Sequence, residues 1–209
     1  MLLSRLSGSS ACPEQPTDHF DFAAVSYRGN SLQETVNHNQ YSDKYVRAIL
    51  AEVKTIAVVG ASENPARPSN IVQKYFLSKG YRVFPVNPAY VGREILGRKV
   101  HARLADIPEA IDMVDIFRRP DALSAVVDEA LGLDPKPKVI WMQLSLRDDA
   151  AAARAEAAGV RVVMNRCAKI EYGRLCGEIS WFGVNTRRLS SQKPKVGEGY
   201  QHLDLDPKN

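Results

Sequence analysis

Five short apolar runs, rich in β-branched residues, recur through the middle of the chain: residues 55–60 (TIAVVG), 81–86 (YRVFPV), 112–117 (DMVDIF), 138–143 (KVIWMQ) and 160–164 (VRVVM). Such runs read as parallel strands covered on both faces. Segments of helical period lie between or before them. Ser42 is placed to cap a helix over residues 43–53 with Tyr45, Val46, Ile49 and Leu50 on one face. Ser69 is placed to cap a second through Lys79, with Ile71, Val72, Tyr75 and Phe76 inward and Gly80 as its stop. A third runs from Pro120 to about Leu131. A fourth, alanine-rich, starts at Asp148 and Asp149 and ends at Gly159. Residues 90–101 read as a loop with a short extended piece, and residues 106–111 as one helical turn.

This alternation predicts an α/β domain: three layers, with a five-stranded parallel sheet between helices. With the strands numbered one to five along the chain, right-handed crossovers favour the order 3-2-1-4-5. The ligand crevice then lies at the carboxyl ends beside strand one.

The 209-residue length suits one domain plus extra chain. Residues 1–41 are polar and aperiodic and read as an extension; the domain is expected over 42–186, with a basic tail over 187–209. With 44% hydrophobic and 25% charged residues the composition is that of a soluble globular protein. No apolar run is long enough to cross a bilayer, and the first residues lack the apolar stretch of a secretory signal. Cys12, Cys167 and Cys176 show neither a disulfide framework nor metal-ligand spacing, so no metal is expected and a reducing cytoplasm is the simplest compartment. The net charge of +4 suits a phosphorylated small ligand, and no motif points to specific nucleic-acid reading.

In such a sheet the chemistry sits where strands end. After strand one come Gly60, Ala61 and Ser62, then a loop carrying Pro65 and Arg67 that leads to Ser69 and Asn70. Gly60 permits a sharp turn and a close phosphate. The loop's N–H groups and the helix start face the same anion, and Arg67 adds a charge-assisted contact. Strand two ends in Val86, Asn87 and Pro88, where a nicotinamide-dependent enzyme would carry an acid for the ribose. The three spaced glycines of that class are missing too. Strand three ends in Phe117 and Arg118, which suit a ring or arm and a phosphate; strand four ends in Met142 and Gln143.

Taken together, "VGASENPARPSNIVQKYFLSKGYRVFPVNP", "GREILGRKV", "IDMVDIFRRP", "KVIWMQLSLR" and "VVMNRCAKIEYGRL" resemble the small bacterial CoA-binding proteins. The fold of that family is similar to the CoA-binding domain of the succinyl-CoA synthetase α chain. The resemblance runs from about Tyr41 to Thr186. It implies a single Rossmann-like domain holding coenzyme A, or a short acyl-CoA, across the strand ends. By that resemblance residues 60–67 and Ser69 would face the phosphates. Val86, Asn87 and Pro88 would border the adenosine with Phe117 and Arg118 nearby, and Met142 and Gln143 would line the pantetheine path. The family usually has glycine where this chain has Ser145. A side chain there is expected to crowd the arm or to remove a needed positive φ.

Catalytic machinery is not evident. His19, His38, His101 and His202 stand in no catalytic frame. Cys167 is a candidate reactive thiol, with Arg166 and Lys169 placed to lower its pKa and Glu171 to orient a neighbour. No nucleophile–base pair completes a set. The sequence therefore favours a carrier, sensor or regulatory protein for CoA. An NAD(P)-linked oxidoreductase and a non-catalytic interaction subunit stand as alternatives.

Overall fold

Seven strands and five α-helices alternate in the computed structural model, which describes residues 36–176. The helix α1 (Asp43–Glu52) opens the domain, with Ser42 capping it by accepting from the Tyr45 N–H at 3.2 Å. The apolar positions Val46, Ile49 and Leu50 of α1 are buried. The strand β1 (Thr55–Val59) is buried at every position. Next come α2 (Pro68–Ser78), β2 (Arg82–Val86) and a small hairpin of β3 (Glu94–Ile95) and β4 (Arg98–Lys99). The remaining elements are β5 (Met113–Ile116), α3 (Leu123–Leu131), β6 (Val139–Met142), α4 (Asp149–Ala157), β7 (Arg161–Val163) and α5 (Ala168–Leu175).

The five longer strands form one parallel sheet in the order β2-β1-β5-β6-β7. In the numbering of the five apolar runs this is 2-1-3-4-5, so the expected order 3-2-1-4-5 is corrected. The reason is legible at Pro85. A proline has no N–H to give a ladder and belongs on an edge strand. Arg82 donates to the Lys54 carbonyl on the β1 side, so the alternation of strand N–H groups turns position 85 outward. The expected order would have buried that position between two strands. The observed order leaves it at the rim, where the Pro85 carbonyl accepts from His101 N–H and residues 100–101 cover the edge.

At the other edge, tyrosines just before and inside α1 close the open side of β7. The Tyr41 hydroxyl accepts from Met164 N–H at 2.8 Å, and the Tyr45 hydroxyl donates to the Val162 carbonyl at 3.4 Å. Burial drives both phenols upward, Tyr45 to about 12. Ahead of α1, His38 also lies 3.3 Å from Glu156, and Asn39 accepts from Arg147 and Arg166.

Two apolar clusters flank the sheet. On one face α1, α2 and α5 cover Ile56, Val58, Met113, Trp141 and Val163. On the other, α3 and α4 cover Ala57, Val114, Ile140 and Val162. The alanines Ala151, Ala152 and Ala155 let α4 approach closely.

Four further local expectations need correction. Pro68 takes the first helical position of α2 and Arg67 the cap, so Ser69 does not cap it; proline is pre-organised for that position. The turn expected over 106–111 lies earlier, as a 3-10 turn at Leu104–Asp106. Leu104 fills the core there while the Asp106 carboxylate accepts from Arg103 N–H. The segment from Pro120 starts as a 3-10 turn before becoming α3. Helix α5 was not anticipated at all.

Candidate functional site

A cleft of about 520 Å³ opens at the carboxyl ends of β1, β2, β5 and β6. Gly60, Ala61, Ser62, Arg67, Ser69, Asn87, Phe117, Arg118, Gln143 and Cys167 line it, all of them singled out from sequence. The chain reverses its order across β1 and β5, and such a switch point leaves the opening. Pro68, Tyr90, Leu144 and Leu146 complete the wall and were missed. Tyr90 belongs to a 3-10 turn, Pro88–Tyr90, that the sequence reading did not include; the leucines belong to a loop with no periodic signal.

Gly60 has φ +87°, and a Cβ there would stand 2.5 Å from the Phe117 carbonyl oxygen. The glycine is therefore required by the approach of the β5 end, as well as by the turn. Beyond it the loop holds itself. The Ser62 hydroxyl accepts from Asn64 N–H, Asn64 Oδ1 from Ala66 N–H, and Asn70 Nδ2 donates to the Ser62 carbonyl. Asn70 is thus buried as a brace behind the loop, and Pro65 is exposed away from the cleft wall.

The end of β2 is similarly committed. Asn87 Nδ2 donates to the Ala61 carbonyl at 2.8 Å, and Oδ1 accepts from Ala89 N–H at 3.1 Å. Val86 is buried, with its carbonyl accepting from Gly60 and Ala61. Pro88 is exposed outside the wall. Met142 has no exposed surface and packs into the core, so it does not line a path; its neighbour Gln143 does.

Ser145 does not remove the positive φ. It adopts φ +68°, held by its N–H donating to Asn165 Oδ1 at 2.8 Å. Asn165 is itself at φ +53° and donates to the Leu146 carbonyl. Ser145 is exposed and outside the cleft wall, so its side chain crowds nothing there.

Electrostatically the cleft is one-sided. None of its lining residues is acidic, and among the described residues neither Arg67 nor Arg118 has an ion-pair partner. Helix α2 starts at the cleft with no side-chain cap, and so does α5 at Cys167. Pro68 has no N–H and Asn70 N–H bonds the Arg67 carbonyl, so the start of α2 offers an anion the Ser69 N–H and its positive dipole end.

The Cys167 thiol is pushed up, not down. Burial raises it most and the buried Asp115 raises it further, while the backbone N–H groups of Ile170 and Lys169 and the Lys169 charge offset only part. Arg166 is occupied elsewhere: it donates to the Asn165 and Asn39 carbonyls and lies 3.7 Å from Glu171. Glu171 anchors Arg174 at 2.8 Å and orients nothing in the cleft. Cys12, His19, His202 and the tail over 187–209 lie outside the described residues.

Asp115, unnoticed in the sequence as part of an apolar strand, is fully buried behind the cleft and accepts from Gln143 Nε2 at 2.7 Å. Burial lifts its carboxyl to about 7 against the lowering effect of that bond.

Residues 54–173 match the CoA binding domain family. The chain belongs to that family. It is 37% identical over 127 residues to "Uncharacterized protein YneT" of Bacillus subtilis (strain 168), covering 61% of this chain and 91% of that protein. Among solved structures it is similar to a hypothetical protein from Pyrococcus horikoshii OT3. That match has 41% identity, a TM-score of 0.63, and coverage of 70% of this chain and 100% of the other. A Thermus thermophilus protein matches at 40% identity with a TM-score of 0.61, over 65% of this chain and 99% of its own. The Rossmann-like reading of the sheet is thereby established. No helix among the described residues is long and apolar enough to cross a membrane.

Proposed function

We propose that this CoA-binding domain takes coenzyme A or a short acyl-CoA into the cleft beside β1 and serves, in the cytoplasm, as a carrier, sensor or regulatory protein. The observation that carries the reading is the acid-free wall beside the start of α2, with Arg67 and Arg118 on it and no ion-pair partner for either among the described residues. That arrangement suits a diphosphate. In this reading the phosphates meet residues 60–62, Arg67, Ser69 and Arg118. The adenosine lies toward Asn87 and Tyr90, and the pantetheine arm passes Phe117 and Gln143 toward Leu144 and Cys167. A thiol whose pKa is raised stays protonated and is a poor nucleophile, which supports binding without chemistry.

Calorimetry with CoA, NAD and NADP tests the assignment. CoA is expected to bind and the nicotinamide nucleotides not to. Binding of the nicotinamide nucleotides alone would sink it. Mass spectrometry of ligand retained by the purified protein, with reductant omitted, identifies any acyl group and any disulfide between Cys167 and the ligand thiol.

A further inference from the structure

Asp115 occupies a place where an apolar residue would serve the fold better. It lies in β5 beside Val58 of β1 and Trp141 of β6, and has no exposed surface. One carboxyl oxygen accepts from Gln143 Nε2; the other has no partner. A buried, half-satisfied carboxyl costs stability, and such a group in a folded protein calls for a reason. The reason lies one residue away. Gln143 lines the cleft, and its carboxamide nitrogen is drawn down to Asp115. The amide oxygen is then the end left for the cleft.

We propose that Asp115 is a positioning residue: by holding the NH₂ group of Gln143, it turns that carboxamide so that its oxygen accepts from an amide N–H of the pantetheine arm. The proposal rests on the reading of the cleft as a CoA site and adds the polarity of one contact to it. A free carboxamide offers donor or acceptor by rotating. One pinned through its NH₂ group can no longer exchange its two ends, so its oxygen stays where it matches a secondary amide N–H. An ionised carboxylate can only accept and so takes the NH₂ end, and the carbonyl oxygen of the neutral acid accepts from it too.

The test compares binding of CoA with that of 3′-phospho-ADP, the same nucleotide without the arm. Wild type, Asp115→Leu, Gln143→Met and the double variant are measured. The ratio of the two affinities is expected to fall about tenfold in each single variant, and no further in the double variant. An unchanged ratio, or equal losses for both ligands, would overturn the positioning role while leaving the CoA site standing. Wild-type protein that takes up no CoA would overturn both. A second measurement needs no Asp115 variant. In ¹⁵N-labelled wild type, the Gln143 carboxamide signal, assigned by its loss in Gln143→Met, should exchange slowly with solvent. That protection should persist when CoA is added. Rapid exchange, or protection lost on adding CoA, would overturn the proposal.

Discussion

Helices α1 and α4 contrast with α2 and α5 at their first turns. Ser42 caps α1, and Asp148 caps α4 by accepting from Ala151 N–H at 2.9 Å. Neither capping residue touches the cleft. At α2 the cap position holds Arg67, whose side chain bonds no N–H, and at α5 it holds Cys167, whose thiol faces the Lys169 and Ile170 N–H groups; both residues line the cleft. Helix α3 is entered through a 3-10 turn and falls in neither group. The difference teaches how the molecule treats its cleft: helix ends away from it are closed by an oxygen cap, and the ends on it carry a cation and a thiol in that place.

The strongest way to break the contrast is at Gly60. In Gly60→Ala the new methyl meets the Phe117 carbonyl at a backbone angle alanine disfavours. A loss of about 3 kcal/mol is expected in denaturant unfolding, and the cleft should go with it. A loss below about 1 kcal/mol would show that the β5 end is free to move aside.

Asp115 tests the cost of the cleft side. Its folded pKa, about 7, lies above the usual carboxylate range. Below about pH 4 both states are protonated and no penalty applies. As pH rises toward 7 the unfolded chain ionises first, so stability falls, by on the order of 2–4 kcal/mol. Asp115→Asn should flatten that part of the unfolding profile of the ligand-free protein. A profile that keeps its slope would place the titration elsewhere.

Arg67→Asp converts an open helix start into a capped one. Affinity for CoA should fall by about 2 kcal/mol or more in calorimetry, since a charge-assisted contact becomes repulsive. Stability should rise by about 1 kcal/mol from the new cap. Unchanged affinity would remove Arg67 from the site. The smallest effect is expected on the self-satisfied side. Ser42→Ala and Asp148→Ala should each cost about 1 kcal/mol of stability with CoA affinity intact. A matching loss of affinity would erase the contrast.

Most of the cleft wall was legible because the strand ends are legible: Gly60, Phe117 and Gln143 end apolar runs and Asn87 follows one. Pro85 also carried the strand order, though its absent N–H was weighed only as part of an apolar run. Asp115 was illegible for the opposite reason. The second of the two acids in "DMVDIF" carries no sign of which face it takes or what lies across it. Helix α5 was missed because "AKIEYGRL" mixes charge into its buried face, where Glu171 is covered by Arg174 and Arg166.

By itself the sequence determined the alternation of strands and helices, the cap at Ser42, the acidic start of α4 and the turn at Gly60. Each depends on residues a few positions apart, whose periodicity and backbone freedom act locally. The tertiary structure alone decided that β5 lies beside β1, that Met142 faces inward while Gln143 faces the cleft, and that Asp115 sits behind it. Those outcomes are set by contacts between distant segments, which take their energy from burial that no local pattern records.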